Sequence, residues 1–151
     1  MKMPEFMFVI INPIMKFLLR SPLHGILSDS IMIIGFTGRK SGRQYETPVR
    51  YVRMDGNIRC YSSDDTMWWR NLRGGAKVTL RIAGKDRPYF ATVTENDPAT
   101  IREALIHYFS IYPQDAAYHD VRMGADGNPV ESDITRAAQH AVVVDASPES
   151  P

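Results

Sequence analysis

Cysteine is almost missing from this chain. Of 151 residues only Cys60 is one, which excludes an internal disulfide, leaves no thiolate set for zinc, and makes a reducing, cytoplasmic setting the expectation. The four histidines, His24, His107, His119 and His140, are scattered without HExxH or comparable spacing, so no metal centre is expected. A GxSxG elbow is lacking too. Cys60 falls inside a strand-like run and reads as a buried structural thiol, so nothing points to nucleophilic hydrolysis. Neither a Walker phosphate loop nor GxGxxG occurs. Gly38 and Gly42 are spaced as GxxxG and join two strand-like runs rather than a strand and a helix, which excludes a Rossmann domain. A dominant charge is absent as well: 18 basic and 17 acidic residues leave a formal charge of +1. Any anionic ligand must therefore be held by a local cluster, and nucleic acid is not an expected partner. Internal repeats and low-complexity tracts are missing.

Long hydrophobic runs are scarce. The nearest, Phe6 to Leu19, is broken by Asn12, Pro13 and Lys16, is too short to span a bilayer and lacks a small-residue cleavage site. Asn12 followed by Pro13 reads as the cap and first turn of a short helix, PIMKFLLRS. That helix would dock on the core or on a second subunit, giving a homodimer, or lie against a membrane surface.

What is present is mostly strand. Ile31 to Phe36, Thr47 to Met54, Asn57 to Ser62, Val78 to Ala83 and Tyr89 to Thr94 are short, rich in β-branched and aromatic residues, and separated by turn signals. HAVVVDA closes the series. Two helices interrupt it: DDTMWWRNLR, and Asp97 to Phe109 with Asp97 as cap and Pro98 in the first turn. Tyr112 to Gln139 reads as mostly loop, and the stretch 121–139 has no assigned role. One mainly β (α+β) domain over 1–151 follows: an N-terminal helical segment 1–28, a barrel core 29–94 carrying the motifs, and a helix, long loop and closing strand over 95–147. Six antiparallel strands with two or three flanking helices suggest a small barrel, because closure removes exposed edges.

The chemistry concentrates in two stretches. In GFTGRKSGR, glycines let backbone amides turn toward an anion, Thr37 and Ser41 add hydroxyls, and Arg39, Lys40 and Arg43 supply charge-assisted bonds to phosphate. A charged, solvated hairpin is the competing reading. In YSSDDTMWWRNLRGG, one of the two tryptophans is expected in the core. Alternatively this helix packs beside a flat ring system whose polar edge meets Ser62, Ser63 or Asn71.

Together, TGRKSGR, the TPV strand and WWRNL resemble the deazaflavin-dependent nitroreductase family of the flavin-binding split β-barrel group. The resemblance runs from RSPLHGILSDS through AKVTLRIAG, with weaker matches at IYPQDAAY and the last valine-rich strand. It implies a six-stranded antiparallel split β-barrel that binds coenzyme F420, a deazaflavin with a phosphate and an oligoglutamate tail. Arg39, Lys40, Ser41, Gly42 and Arg43 would hold the phosphate, and Lys16 or Arg20 the tail. Thr47, Pro48 and Val49 would line the ring, with Ser62, Ser63, Trp68 and Asn71 on its far side. Tyr112 and Tyr118 would wall a small-molecule substrate. The implied reaction is hydride transfer from the reduced deazaflavin to a quinone, enone or nitroaromatic, with no protein nucleophile. FMN as cofactor, or binding without catalysis, are the alternatives. Three departures stand out: Tyr45 where relatives often carry arginine, Asp64 and Asp65 after the serines, and Asp115 where a tyrosine is expected.

Overall fold

A computed structural model describes residues 30–149. The expectations placed on residues 1–28, including the Pro13 helix, Lys16, Arg20 and its membrane or subunit contact, lie outside them. Six strands, β1 (Ile31–Thr37), β2 (Gln44–Met54), β3 (Asn57–Ser63), β4 (Ala76–Ile82), β5 (Lys85–Thr94) and β6 (Ala141–Pro148), close into a barrel in the order β1-β2-β3-β6-β5-β4. Every neighbouring pair is antiparallel, and β1 closes the ring on β4 from Ile33↔Arg81 to Gly35↔Thr79. Closure leaves no edge strand, as expected.

Alternation sorts the side chains. Met32, Ile34, Tyr51, Cys60, Leu80 and Val144 point into the barrel, where they pack with Trp68, Trp69 and Leu72. Parts of the opposite faces of β2 and β6 are apolar too. Val52, Ala141 and Val143 pack outward against Ile101, Leu105 and Phe109 of α1 (Pro98–Ile111) and Ile134 and Ala137 of α2 (Glu131–Ala137). β6 is therefore buried on both faces, which is why its sequence is a valine run rather than an alternation.

Helix α1 starts as its sequence predicts: the Asp97 side chain accepts the Thr100 N–H at 3.3 Å, and proline occupies the first turn. Three expectations need correcting. β2 and β5 begin earlier, at Gln44 and Lys85, because barrel pairing recruits polar residues with no strand signal of their own. The helix read over DDTMWWRNLR shortens to a 3-10 helix, Trp68–Leu72. The stretch read as loop holds a second 3-10 helix, Pro113–His119, and α2. Both are one or two turns long, below the length at which local propensity sustains a helix, and depend on the apolar face that α1 offers.

Candidate functional site

The loop joining β1 to β2 is closed by its own backbone. The Gly38 N–H donates to the Arg43 carbonyl at 2.8 Å, and the Gly42 N–H to the Gly38 carbonyl at 2.9 Å. Gly42 has φ +71° with open space where a Cβ would stand, whereas a Cβ on Gly38 would lie 2.7 Å from the Tyr45 ring and 2.8 Å from Ser41 Oγ. Tyr45 thus lays its ring on bare backbone and brings its hydroxyl within 3.4 Å of Ser41 Oγ, which also accepts the Arg43 N–H at 3.1 Å. Thr37 Oγ1 accepts from Gln44 Nε2 at 2.9 Å. Arg39, Lys40 and Arg43 are exposed, and among the described residues no carboxylate pairs with them. The amides of Lys40 and Ser41 carry no hydrogen bond among the described residues. Three uncompensated cations, two free amides and a hydroxyl on one turn suit a phosphate.

The second motif is tied directly to the first. The Arg39 N–H donates to Asn71 Oδ1 at 2.9 Å, and Asn71 Nδ2 donates to the Trp68 carbonyl at 3.0 Å. Trp68 Nε1 donates to Ser62 Oγ at 3.0 Å, which in turn lies 2.7 Å from Thr66 Oγ1. Trp69 Nε1 donates to the Ser63 carbonyl at 2.8 Å, and Ser63 Oγ donates to Asp65. Both tryptophans are buried, so the core placement expected of one ring holds and extends to the other. Trp69 lies in the barrel plug, with the guanidiniums of Arg70 and Arg73 at 5.3 and 5.0 Å from its ring. Phe36 lies 5.8 Å from the Tyr45 ring and 5.9 Å from Trp68, a row of aromatic rings leading from the loop to the barrel mouth. Ser62, Ser63 and Asn71 spend polar atoms on holding this plug, and Asn71 also holds the loop.

The TPV residues divide between two faces. Val49 faces inward opposite Met32 and Thr47 is its inward neighbour opposite Ile34, while Pro48 faces outward opposite Ile33. Thr47 is buried, and its Oγ1 has no hydrogen-bond partner among the described residues. A buried hydroxyl left unpaired costs about 1–3 kcal/mol. An orphan of this kind below a cationic loop fits a bound ring with a polar edge.

The segment carrying the predicted substrate tyrosines packs on the outer face of β2, two residues from Pro48. Asp115, between Tyr112 and Tyr118, is buried and accepts from Arg50 Nε at 2.6 Å, Arg50 Nη2 at 3.2 Å and Tyr108 Oη at 2.5 Å. The Arg50 guanidinium stands 4.6 Å over the Tyr112 ring. Burial disfavours the Arg50 cation, but the hydrogen bond and charge of Asp115 outweigh this and raise its pKa; burial and Asp115 together push the Tyr108 hydroxyl up. Arg50 pairs with Ile31, at the far end of the β1–β2 ladder from the Thr37↔Gln44 pair that flanks the loop. The 3-10 helix Pro113–His119 is thus latched to the outer wall of β2. The structure does not bring Tyr112 to the loop, and Tyr118 is exposed. An open cleft of about 470 Å³ beside it, lined by Asp120, Arg122, Asp133 and Arg136 among others, contains none of the predicted site residues.

Two further features bear on the site. Cys60 is buried and its thiol is pushed up to about 12 by burial and by Asp145, so it is the inert structural thiol its strand implied. The carboxylates after the serines are compensated: Asp65 accepts from Ser63 Oγ, and Asp64 Oδ2 lies 2.8 Å from His140 Nδ1. That contact spans 76 positions and has no signature in the sequence. Neither does the Arg50–Asp115 pair. Among the described residues no cluster of His, Cys, Asp or Glu is placed to hold a metal, and no helix is long and apolar enough to cross a membrane.

Comparison with known proteins returns a family and a fold. The family model described as F420H(2)-dependent quinone reductase matches residues 23–130, well over half of the chain. Among solved structures, a Listeria innocua protein described provisionally as a pyridoxamine 5'-phosphate oxidase is similar with TM-score 0.51 and 14% identity, covering 87% of this chain and 94% of that one. A protein of unknown function from Agrobacterium tumefaciens is similar with TM-score 0.52 and 14% identity; the match covers 87% of this chain but 57% of that longer one. At these identities the likeness is one of fold. No curated protein matches the chain.

Proposed function

The chain belongs to the F420H(2)-dependent quinone reductase family, and from that premise we propose which of its residues hold the cofactor and what each does. The protein is an F420-dependent oxidoreductase that passes hydride to a quinone. When bound in reduced form, coenzyme F420 supplies the hydride.

Arg39, Lys40 and Arg43, with the free amides of Lys40 and Ser41, hold the phosphate. Ser41 and Gly42 shape the turn, and Thr47 Oγ1 pairs with the polar edge of the ring. Val49 gives that ring an apolar floor and Pro48 stiffens the strand behind it. Trp68, held by Ser62, and the Ser63–Trp69 pair keep the far wall rigid and exclude water. A hydride acceptor needs position and a dry contact, not a nucleophile. The observation that carries this reading is the Arg39 N–H to Asn71 Oδ1 bond at 2.9 Å, which fastens the cationic loop to the aromatic plug so that anion and ring subsites share one mouth.

A side-by-side fluorescence titration of the purified protein with F420 and with FMN, at two salt concentrations, tests it. Tight F420 binding that weakens with salt is expected, because the loop's charges are exposed and screened. Preference for FMN, or no binding of either, would overturn the assignment. Oxidation of reduced F420 by menadione then tests the acceptor class. A homodimer, and contact of the N-terminal stretch with a membrane, remain expectations of the sequence that light scattering and vesicle co-sedimentation would decide.

A further inference from the structure

Hydride transfer to a quinone leaves one proton outstanding, and none of the groups assigned to the cofactor is built to supply it at neutral pH. An imidazole is the side chain suited to that task. His140 stands at the barrel rim. The Asp64 N–H donates to the His140 carbonyl at 2.8 Å, extending the β3–β6 ladder one step past its last pair, Ser63↔Ala141. The alternation that turns Cys60 and Val142 into the barrel puts Asp64 and His140 on that same side, just beyond the mouth. Their side chains meet there, with Nδ1 2.8 Å from Asp64 Oδ2, and the imidazole is 51% exposed. With Nδ1 taken by the carboxylate, Nε2 is the nitrogen left for a ligand. Arg70 Nη2 holds the Asp64 carbonyl at 2.9 Å, which ties the pair to the 3-10 helix carrying Trp68 and Asn71.

We propose that His140, oriented by Asp64, protonates the quinone as it is reduced. This rests on the F420 reading given above. The quinone takes two electrons and one hydrogen as hydride from the reduced cofactor and becomes the hydroquinone monoanion. The Nε2–H bond of the imidazolium breaks, its proton joins the phenolate oxygen to give the neutral hydroquinone, and the neutral imidazole regains a proton from solvent, which receives in exchange the second hydrogen of the two-hydrogen cofactor as a proton. Asp64 keeps Nδ1–H in place and balances the imidazolium charge. Among the described residues, Arg70, bonded to the Asp64 carbonyl, and Asp65, next in sequence, are charged groups beside the pair. From the α2 side the His140 N–H donates to the Ala137 carbonyl at 3.0 Å.

Two acceptors separate proton delivery from scaffolding. Menadione needs hydride and proton, whereas the methylene blue cation becomes neutral on taking hydride alone. His140→Gln should lower kcat/KM for menadione by about tenfold or more and change that for methylene blue by less than about twofold. In the cofactor-free protein, nitrogen NMR should find neutral His140 in the Nδ1–H tautomer, and Asp64→Asn should lose that preference. Equal losses on both acceptors, or an unchanged menadione rate in His140→Gln, would overturn the assignment while leaving F420 binding intact. Failure of the wild-type protein to bind F420 would overturn it together with the reading beneath it.

Discussion

Removing the Asp115 carboxylate should unfasten the second 3-10 helix from the barrel. In Asp115→Ala the Arg50 guanidinium, whose side chain is only 25% exposed, loses its counter-charge, and the buried Tyr108 hydroxyl loses its acceptor. Breaking a buried pair on one side costs roughly 3–5 kcal/mol. Water reaches Arg50 in part and Tyr112 still faces it, which argues for the lower end, about 3 kcal/mol. For a chain of this size that is a Tm decrease of roughly 6–12 °C. Urea and thermal unfolding followed by the fluorescence of the two buried tryptophans measure it. Replacing both partners, Arg50→Met with Asp115→Leu, should recover much of the loss, since an apolar pair needs no compensation. A single-variant loss below about 1 kcal/mol, or a double variant no better than the single, would refute the latch. A fall in menadione kcat/KM at unchanged stability would instead support a place for this segment in the substrate wall.

Other outcomes follow from the same geometry. Lys40→Ala should weaken F420 binding by roughly 1.5–3 kcal/mol, the worth of a charged hydrogen bond, with a shallower salt dependence; unchanged affinity in a titration would remove Lys40 from the phosphate site. Asn71→Ala takes the acceptor from Arg39 N–H, so F420 affinity should drop by about 0.5–1.5 kcal/mol while direct contacts stay intact, as calorimetry would read. Cys60, with its thiol pushed up to about 12, should resist alkylation in the folded protein and react on unfolding, which mass spectrometry follows. Hydrogen bonds from the Arg122 side chain and N–H, with the charges of Arg122 and Arg136, hold the Asp133 carboxyl well below the usual carboxylate range. A depressed folded value means the contribution is complete above the unfolded carboxylate's titration and is lost as pH falls through the folded one. Asp133→Asn should therefore be less stable than the wild type at neutral pH and converge with it in acid, in paired denaturant titrations.

Much of the barrel was legible because its signals are local. β-branched runs between turn residues located all six strands, and Asp97 with Pro98 marked the start of α1 to the residue. The polar starts of β2 and β5, and the short α2, were not legible. Their residues have no intrinsic preference strong enough to act alone, and they are ordered by a neighbour's ladder or apolar face. The loop chemistry was readable from Gly38 to Arg43, since glycines and unpaired cations in one turn are a property of adjacent residues. The tryptophans were half readable. Residue type favours burial of tryptophan, but burial of both depends on the barrel having an open end for a plug.

The sequence by itself determined the barrel class, the cationic turn, the inert cysteine and the family to which the chain belongs. These rest on residue type and near-neighbour spacing. Only the tertiary structure decided that Asn71 holds the loop, that Asp115 latches to Arg50, and that His140 meets Asp64 at the mouth. Each of these contacts joins residues 32 or more positions apart. Closure of the barrel brings such partners together, and nothing in the local chemistry of either residue names the other.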